Sequence, residues 1–180
     1  MSWLLTAPAI ETELSLVADV GRVHLGERHL RDQSRVRALL GSPVEGERDR
    51  VRGWTIARER IEESWWSTLK TKATETYVLR AYQGLRSTSG SESSFQALLD
   101  TVLTGFRDVT TIGSAFMLEL PMVERYGYAK FGDLNCHYAE VVLQVEEHYT
   151  IGSTTQPAQT SSSGATRDDY GHVAAQLAFY

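Results

Sequence analysis

Phe95, Leu98, Leu99, Val102, Leu103 and Phe106 recur at the spacing of one helical face. No other feature of the sequence limits the fold as much. A stripe this broad must be covered, and the segments around it are rich in β-branched and aromatic residues. The helix predicted near residues 90–107 therefore packs on a sheet. Ser89 followed by Glu92 reads as a capping box at its start. Gly105 and the threonines after Arg107 mark where it stops.

Four strands are predicted around this helix. One begins at Gly53-Trp54-Thr55-Ile56-Ala57-Arg58 and extends toward Ile61; a second covers Thr74 to Leu85. In the second, Tyr77, Leu79 and Ala81 share one side, while Thr76, Val78, Arg80 and Tyr82 share the other. A third spans Ser114 to Glu124, with Pro121 near its end suggesting an edge or a bulge. The fourth, Cys136 to Glu147, places His137, Ala139, Val141, Leu143 and Val145 on an apolar face. Pro8, Ile10, Leu14 and Val17 suit a short helix that starts at the proline and ends before Gly21. Val36, Leu39 and Leu40 suit a second short helix before Gly41, and 42–52 reads as a charged loop. The expected fold class is α+β: a mainly antiparallel sheet with helices packed on one face, plus an extended C-terminal arm.

The charges divide the chain unevenly. Residues 1–21 hold three acids and no base, whereas residues 22–60 hold ten arginines against six acids. Residues 151–180 carry only Arg167, Asp168 and Asp169 as charges. From Ser153 to Thr166 the chain is small and polar, the composition of a flexible linker. The closing HVAAQLAFY turns apolar again and reads as an arm ending in Phe179 and Tyr180, or as a frayed terminus. This organisation predicts one α+β domain over 1–150 and a linker with an arm over 151–180.

Several function classes are disfavoured. A formal charge of −5 lacks the basic footprint of a general nucleic-acid binder. Cys136 is the single cysteine, so neither an intrachain disulfide nor a multi-cysteine zinc site can form. No apolar run approaches a membrane span, and the N-terminal stretch lacks the basic region of a secretory signal. The expected setting is the cytosol, or a particle assembled there.

Catalytic signatures are missing too. His24 and His29 are five residues apart, one more than the spacing that stacks two ligands on a helix. His137 and Cys136 are neighbours on a strand and point to opposite sides. Glycines form no phosphate-binding or dinucleotide fingerprint, and no Gly-x-Ser-x-Gly elbow occurs. Glu62–Glu63 and Glu146–Glu147 read as solvated charges on opposite strand faces, not as acid–base pairs. Neither a cofactor, a metal nor an enzymatic activity is expected.

Two features concern contact instead. Trp65-Trp66, read as part of a turn between two strands, would anchor an interface if exposed, or fold back on the core. Arg48, Arg50, Arg52, Arg58 and Arg60 alternate as if to present one basic strand face, either solvated or facing an acidic neighbour. Reciprocal pairing of basic and acidic flanks is one way to build a head-to-tail ring.

In order and content, VADVGRVHLGERH, GWTIARE, TYVLRAYQGLRSTSGSESSFQALLDTVLTGFRD and LNCHYAEVVLQVEE resemble the tail terminator proteins of long-tailed bacteriophages. The likeness covers roughly residues 14–148 and carries no catalytic motif. It implies a structural virion protein that forms a ring, usually a hexamer, on the head-proximal end of the tail tube. Such a ring ends tube polymerisation and presents a surface to the neck or connector. The implied partners are further copies of the chain, the tail tube protein and the neck protein. DNA is only passing content of the lumen, and no membrane is involved. Arg48, Arg50, Arg58, Arg60, Trp65, Trp66, Phe179 and Tyr180 are the candidate contact residues. Other head–tail joining roles, such as a neck protein or a tube subunit, and a small α+β binding module are the alternatives. Solution mass separates a ring from a module.

Overall fold

The computed structural model of the protein describes residues 3–26, 33–41, 51–67, 70–85 and 90–150. In chain order the elements are α1 (Trp3–Ser15), β1 (Arg22–Leu25), α2 (Gln33–Leu40), β2 (Arg52–Ser67), β3 (Lys70–Gly84), α3 (Ser91–Gly105), β4 (Thr111–Ile112), β5 (Ala115–Met117), β6 (Met122–Phe131) and β7 (Leu134–Thr150). The expected arm, with Phe179 and Tyr180, and the loop arginines Arg48 and Arg50 lie outside the described residues.

Alternation of apolar side chains in β3 and β7 sets the sheet. These strands pair antiparallel without a break from Lys70–Thr150 to Gly84–Cys136. The pairing aligns Leu79 with Val141 and Ala81 with Ala139. β2 lies on the other side of β3 and adds Trp54 opposite Ala81 and Ile56 opposite Leu79. Opposed residues share a face, so this side of the sheet is one apolar surface. α1 covers it with Ala7, Ile10 and Leu14, and α3 with Phe95, Leu98, Leu99 and Val102. Trp54, Tyr77, Phe95 and Phe106 are fully buried in that layer.

The full strand order is β1-β2-β3-β7-β5-β4, with β6 also on β7. The fold is α+β, as expected, but the sheet is mixed. β1 runs parallel to β2, from Arg22–Gly53 to Leu25–Ile56. The chain between these two strands is long enough for a crossover and carries α2, the connection that parallel neighbours need. The helices are also not all on one face. Val36 and Leu40 of α2 pack with Val51, Tyr82 and Cys136. Tyr82 and Cys136 project away from the α1–α3 layer, so α2 sits on the outer face. Gly53, opposite Tyr82, leaves the space that Leu40 fills. A Cβ there would fall 2.6 Å from the Arg22 carbonyl oxygen and 2.7 Å from Leu40 Cδ2.

Other boundaries move for local reasons. α1 starts at Trp3, so Pro8 lies inside the helix instead of opening it. Thr12 Oγ1 donates to the Pro8 carbonyl at 2.9 Å. α3 begins after Gly90, which has φ 109° and caps it with no side-chain bond. Ser89 of the expected capping box falls outside the described residues. The strand expected over 114–124 is instead β4 and β5 around Gly113, a break before Pro121, and then β6. β6 and β7 form a hairpin across Gly132-Asp133, with Gly132 at φ 61°. A Gly-Asp pair between two strand-like runs is a hairpin signal that the sequence reading passed over.

Gly53→Ala forces Leu40 or the β1–β2 pair to move. The expected loss is about 1–3 kcal/mol of stability, measured by urea unfolding, with α2 the first element to lose hydrogen-exchange protection.

Candidate interaction surface

β2 and β3 outrun the helical layer. β1 pairs with β2 only as far as Ile56. From Arg58 to Ser67 every residue of β2 is exposed. The tryptophans sit here within the strand, not in a turn. Trp65 pairs with Thr71, and a register shift between Trp65 and Ser67 leaves Trp66 as the extra residue. As neighbours on a strand the two indoles point to opposite faces. Trp65 is 76% exposed and lies on the helix side, while Trp66 is 55% exposed and lies on the outer side. Neither joins the core. Trp66 meets His148 edge-on with ring centroids 4.3 Å apart, and Lys70 Nζ lies 5.2 Å from its centroid. Phe116 approaches the same histidine at 6.1 Å.

A second irregularity in β2 redistributes the arginines. The register shifts between Arg58 and Arg60, so Arg58 opposes Tyr77 and Arg60 opposes Thr76. Tyr77 is on the helix side and Thr76 on the outer side. The two arginines thus part, although their spacing predicts a shared face. Arg58 Nη1 donates to Glu75 Oε1 at 3.0 Å, and the Tyr77 hydroxyl donates to Glu75 Oε2 at 2.5 Å. Glu75 is fully buried, so Arg58 neutralises an interior carboxylate. Arg60 instead pairs with Glu62 at the surface.

Other carboxylates expected to be solvated are also engaged. Glu147 is buried and accepts from the Ser114 hydroxyl. Glu146 lies below the usual carboxylate range, chiefly because Lys72 Nζ donates to it at 2.9 Å, with His148 adding to the effect. On the outer face Arg80 Nε donates to Glu140 at 3.1 Å and its terminal nitrogen pairs with Glu59. Burial pushes Glu140 up, but the Tyr138 hydroxyl and Arg80 outweigh it and hold the carboxyl below its ordinary value. Burial and the bond to Glu140 push the Tyr138 phenol well up. Among the described residues, no group of three or more His, Cys, Asp or Glu could hold a metal ion.

Cys136 and His137 point to opposite faces, as their positions on β7 predict. Cys136 is fully buried against α2, and burial pushes its thiol up to about 11. A thiol in that state is a poor nucleophile. His137 is buried under α3, stacked on Phe95 with centroids 5.5 Å apart. Its Nε2 lies 3.1 Å from the Ser91 hydroxyl, and its Nδ1 has no partner. Burial pulls its pKa below the ordinary value, against an opposing pull from Glu92.

Of the sequence candidates, the structure places Arg58, Arg60, Trp65 and Trp66 on the exposed end of β2, with Arg58 also paired to the buried Glu75. The reading missed Phe116 and His148. Only the long β7 register brings them beside Trp66, and nothing local in the sequence encodes that register. No helix among the described residues is long and apolar enough to cross a membrane. No protein-family model matches the chain, and no curated protein matches it.

Arg58→Met should cost roughly 1–3 kcal/mol, because it strips a buried carboxylate of its cation, whereas Arg60→Met should change stability by less than about 0.5 kcal/mol. Urea unfolding of both variants checks the contrast. His137 gives a pH signature. Its folded-state pKa is depressed, so the unfolded chain takes up the proton first. Stability should therefore fall as pH drops below the unfolded value of about 6.5, until the folded state also protonates. His137→Gln should flatten the unfolding midpoint between about pH 7 and pH 5.

Proposed function

We propose that this chain is the ring-forming subunit that caps the head-proximal end of a bacteriophage tail tube. In that role it ends tube polymerisation and joins the tail to the neck, working in the virion after assembly in the host cytoplasm. The observation that carries the reading is the exposed end of β2, where Trp65 and Trp66 stand on opposite faces of a strand whose outer edge has no partner among the described residues. Indoles this exposed on a rigid strand suit insertion between neighbouring subunits or rings.

Two further features support it. Among the described residues the sheet ends in unlike edges: β2 beyond Ile56 has only β3 as partner, and β6 has only β7. Unlike edges suit head-to-tail contacts, which close into rings when the rotation permits. The conspicuous polar clusters, around Glu75 and Glu140, hold strands together within the chain. The phage resemblance suggests the axis position, and the exposed tryptophans support the choice of contact surface.

The test is solution mass. The purified chain should sediment as an oligomer of about six copies. Trp65→Ser combined with Trp66→Ser should shift it to monomer, with unchanged circular dichroism and melting. A monomeric wild-type chain over the full concentration range, with no tail-joining defect in phage carrying the variant, would defeat the proposal.

A further inference from the structure

The two helices over the main core carry charge of one sign. Residues 3–21 and 90–106 contain Glu11, Glu13, Asp19, Glu92 and Asp100, with neither Lys nor Arg. The other acids of the chain equal its bases in number, so this layer accounts for the whole formal charge of −5. Between the C-terminal ends of α1 and α3 runs an open groove of about 540 Å³. Glu13 stands on the α1 rim and Asp100 on the α3 rim, with Leu16, Val17, Thr101 and Thr104 among the lining residues. The helices approach closely at its base, where a Cβ on Gly105 would come within 3.4 Å of Val17 Cγ2. Leu16 is 75% exposed.

α2, on the opposite face of the sheet, exposes charge of the other sign. α2 buries Val36 and Leu40 and exposes Ser34, Arg35, Arg37 and Ala38. At 100° per residue, Arg35 and Arg37 flank the buried Val36 on either side, and Ser34 and Ala38 form the outward ridge. The segment around α2 is the arginine-rich part of the chain. A small-residue ridge with an arginine on each flank matches an apolar groove with a carboxylate on each rim.

We propose that the α1–α3 groove receives α2 of a second copy of this chain, with Arg35 and Arg37 of that copy facing Asp100 and Glu13. The groove and the ridge lie on opposite sides of the sheet, so each copy offers one to each neighbour and the contact is head-to-tail. Complementary potentials set its register, and the exposed Leu16 in the groove adds apolar contact. This inference rests on the ring-forming reading and names one of its interfaces.

The test uses two full-length variants. One carries Glu13→Arg and Asp100→Arg; the other carries Arg35→Glu and Arg37→Glu. Each alone brings like charges together and should weaken self-association more than about tenfold, measured by sedimentation. Mixed one to one, each groove meets an opposite-sign ridge, and the oligomer should return to within about threefold of wild type. Raising salt should weaken the wild-type oligomer and the mixture alike. An oligomer that survives in both single variants, or fails to return in the mixture, overturns the proposed interface while the ring stands. A wild-type chain that never associates overturns the interface and the ring together.

Discussion

Everything in the fold hangs on the ladder between β3 and β7, unbroken from Lys70–Thr150 to Gly84–Cys136. A one-residue slip in that ladder would send Tyr77, Leu79 and Ala81 to the outer face and expose the core. Each other element reads its position from it. β2 extends the apolar surface on one side, and β5 and β6 share the far edge of β7 on the other. The two long helices then cover the apolar surface that results.

The same ladder places charge where the chain can hold it. Glu75, Glu140 and Glu147 are buried at regular register positions, and each meets a donor: Arg58 and Tyr77, Arg80 and Tyr138, and Ser114. A buried charge without a partner is far more costly than a pair is stabilising. These clusters therefore specify which strands sit together more than they add net stability.

Much of this architecture is legible in the sequence, because strong periodicity survives folding. The α3 stripe and the alternation of β3 and β7 predict the faces that the structure buries. What fails is what depends on single-residue irregularities or on distant register. The shift between Arg58 and Arg60 inverts an arginine pattern that simple alternation would preserve. The tryptophan pair, read as part of a turn, lies inside β2 because the strand runs on to Ser67. Parallel pairing of β1 with β2 follows from a crossover whose end point no local signal gives. The hairpin at Gly132-Asp133 was readable from its turn residues, but the strand before it alternates weakly and leaves several aromatic side chains exposed. Of the candidate contact residues, Arg58, Arg60, Trp65 and Trp66 are all exposed, and Arg58 also reaches Glu75, seventeen residues on along the neighbouring strand.

The burial of Cys136 has a consequence for how such a chain can travel. Its only sulfhydryl is sealed beneath α2 and stays protonated at neutral pH. Passage from a reducing interior to an oxidising exterior would thus leave no covalent mark through cysteine. Copies packed at high local density could not become stapled to one another by adventitious bridges, so any assembly they form stays governed by fit alone.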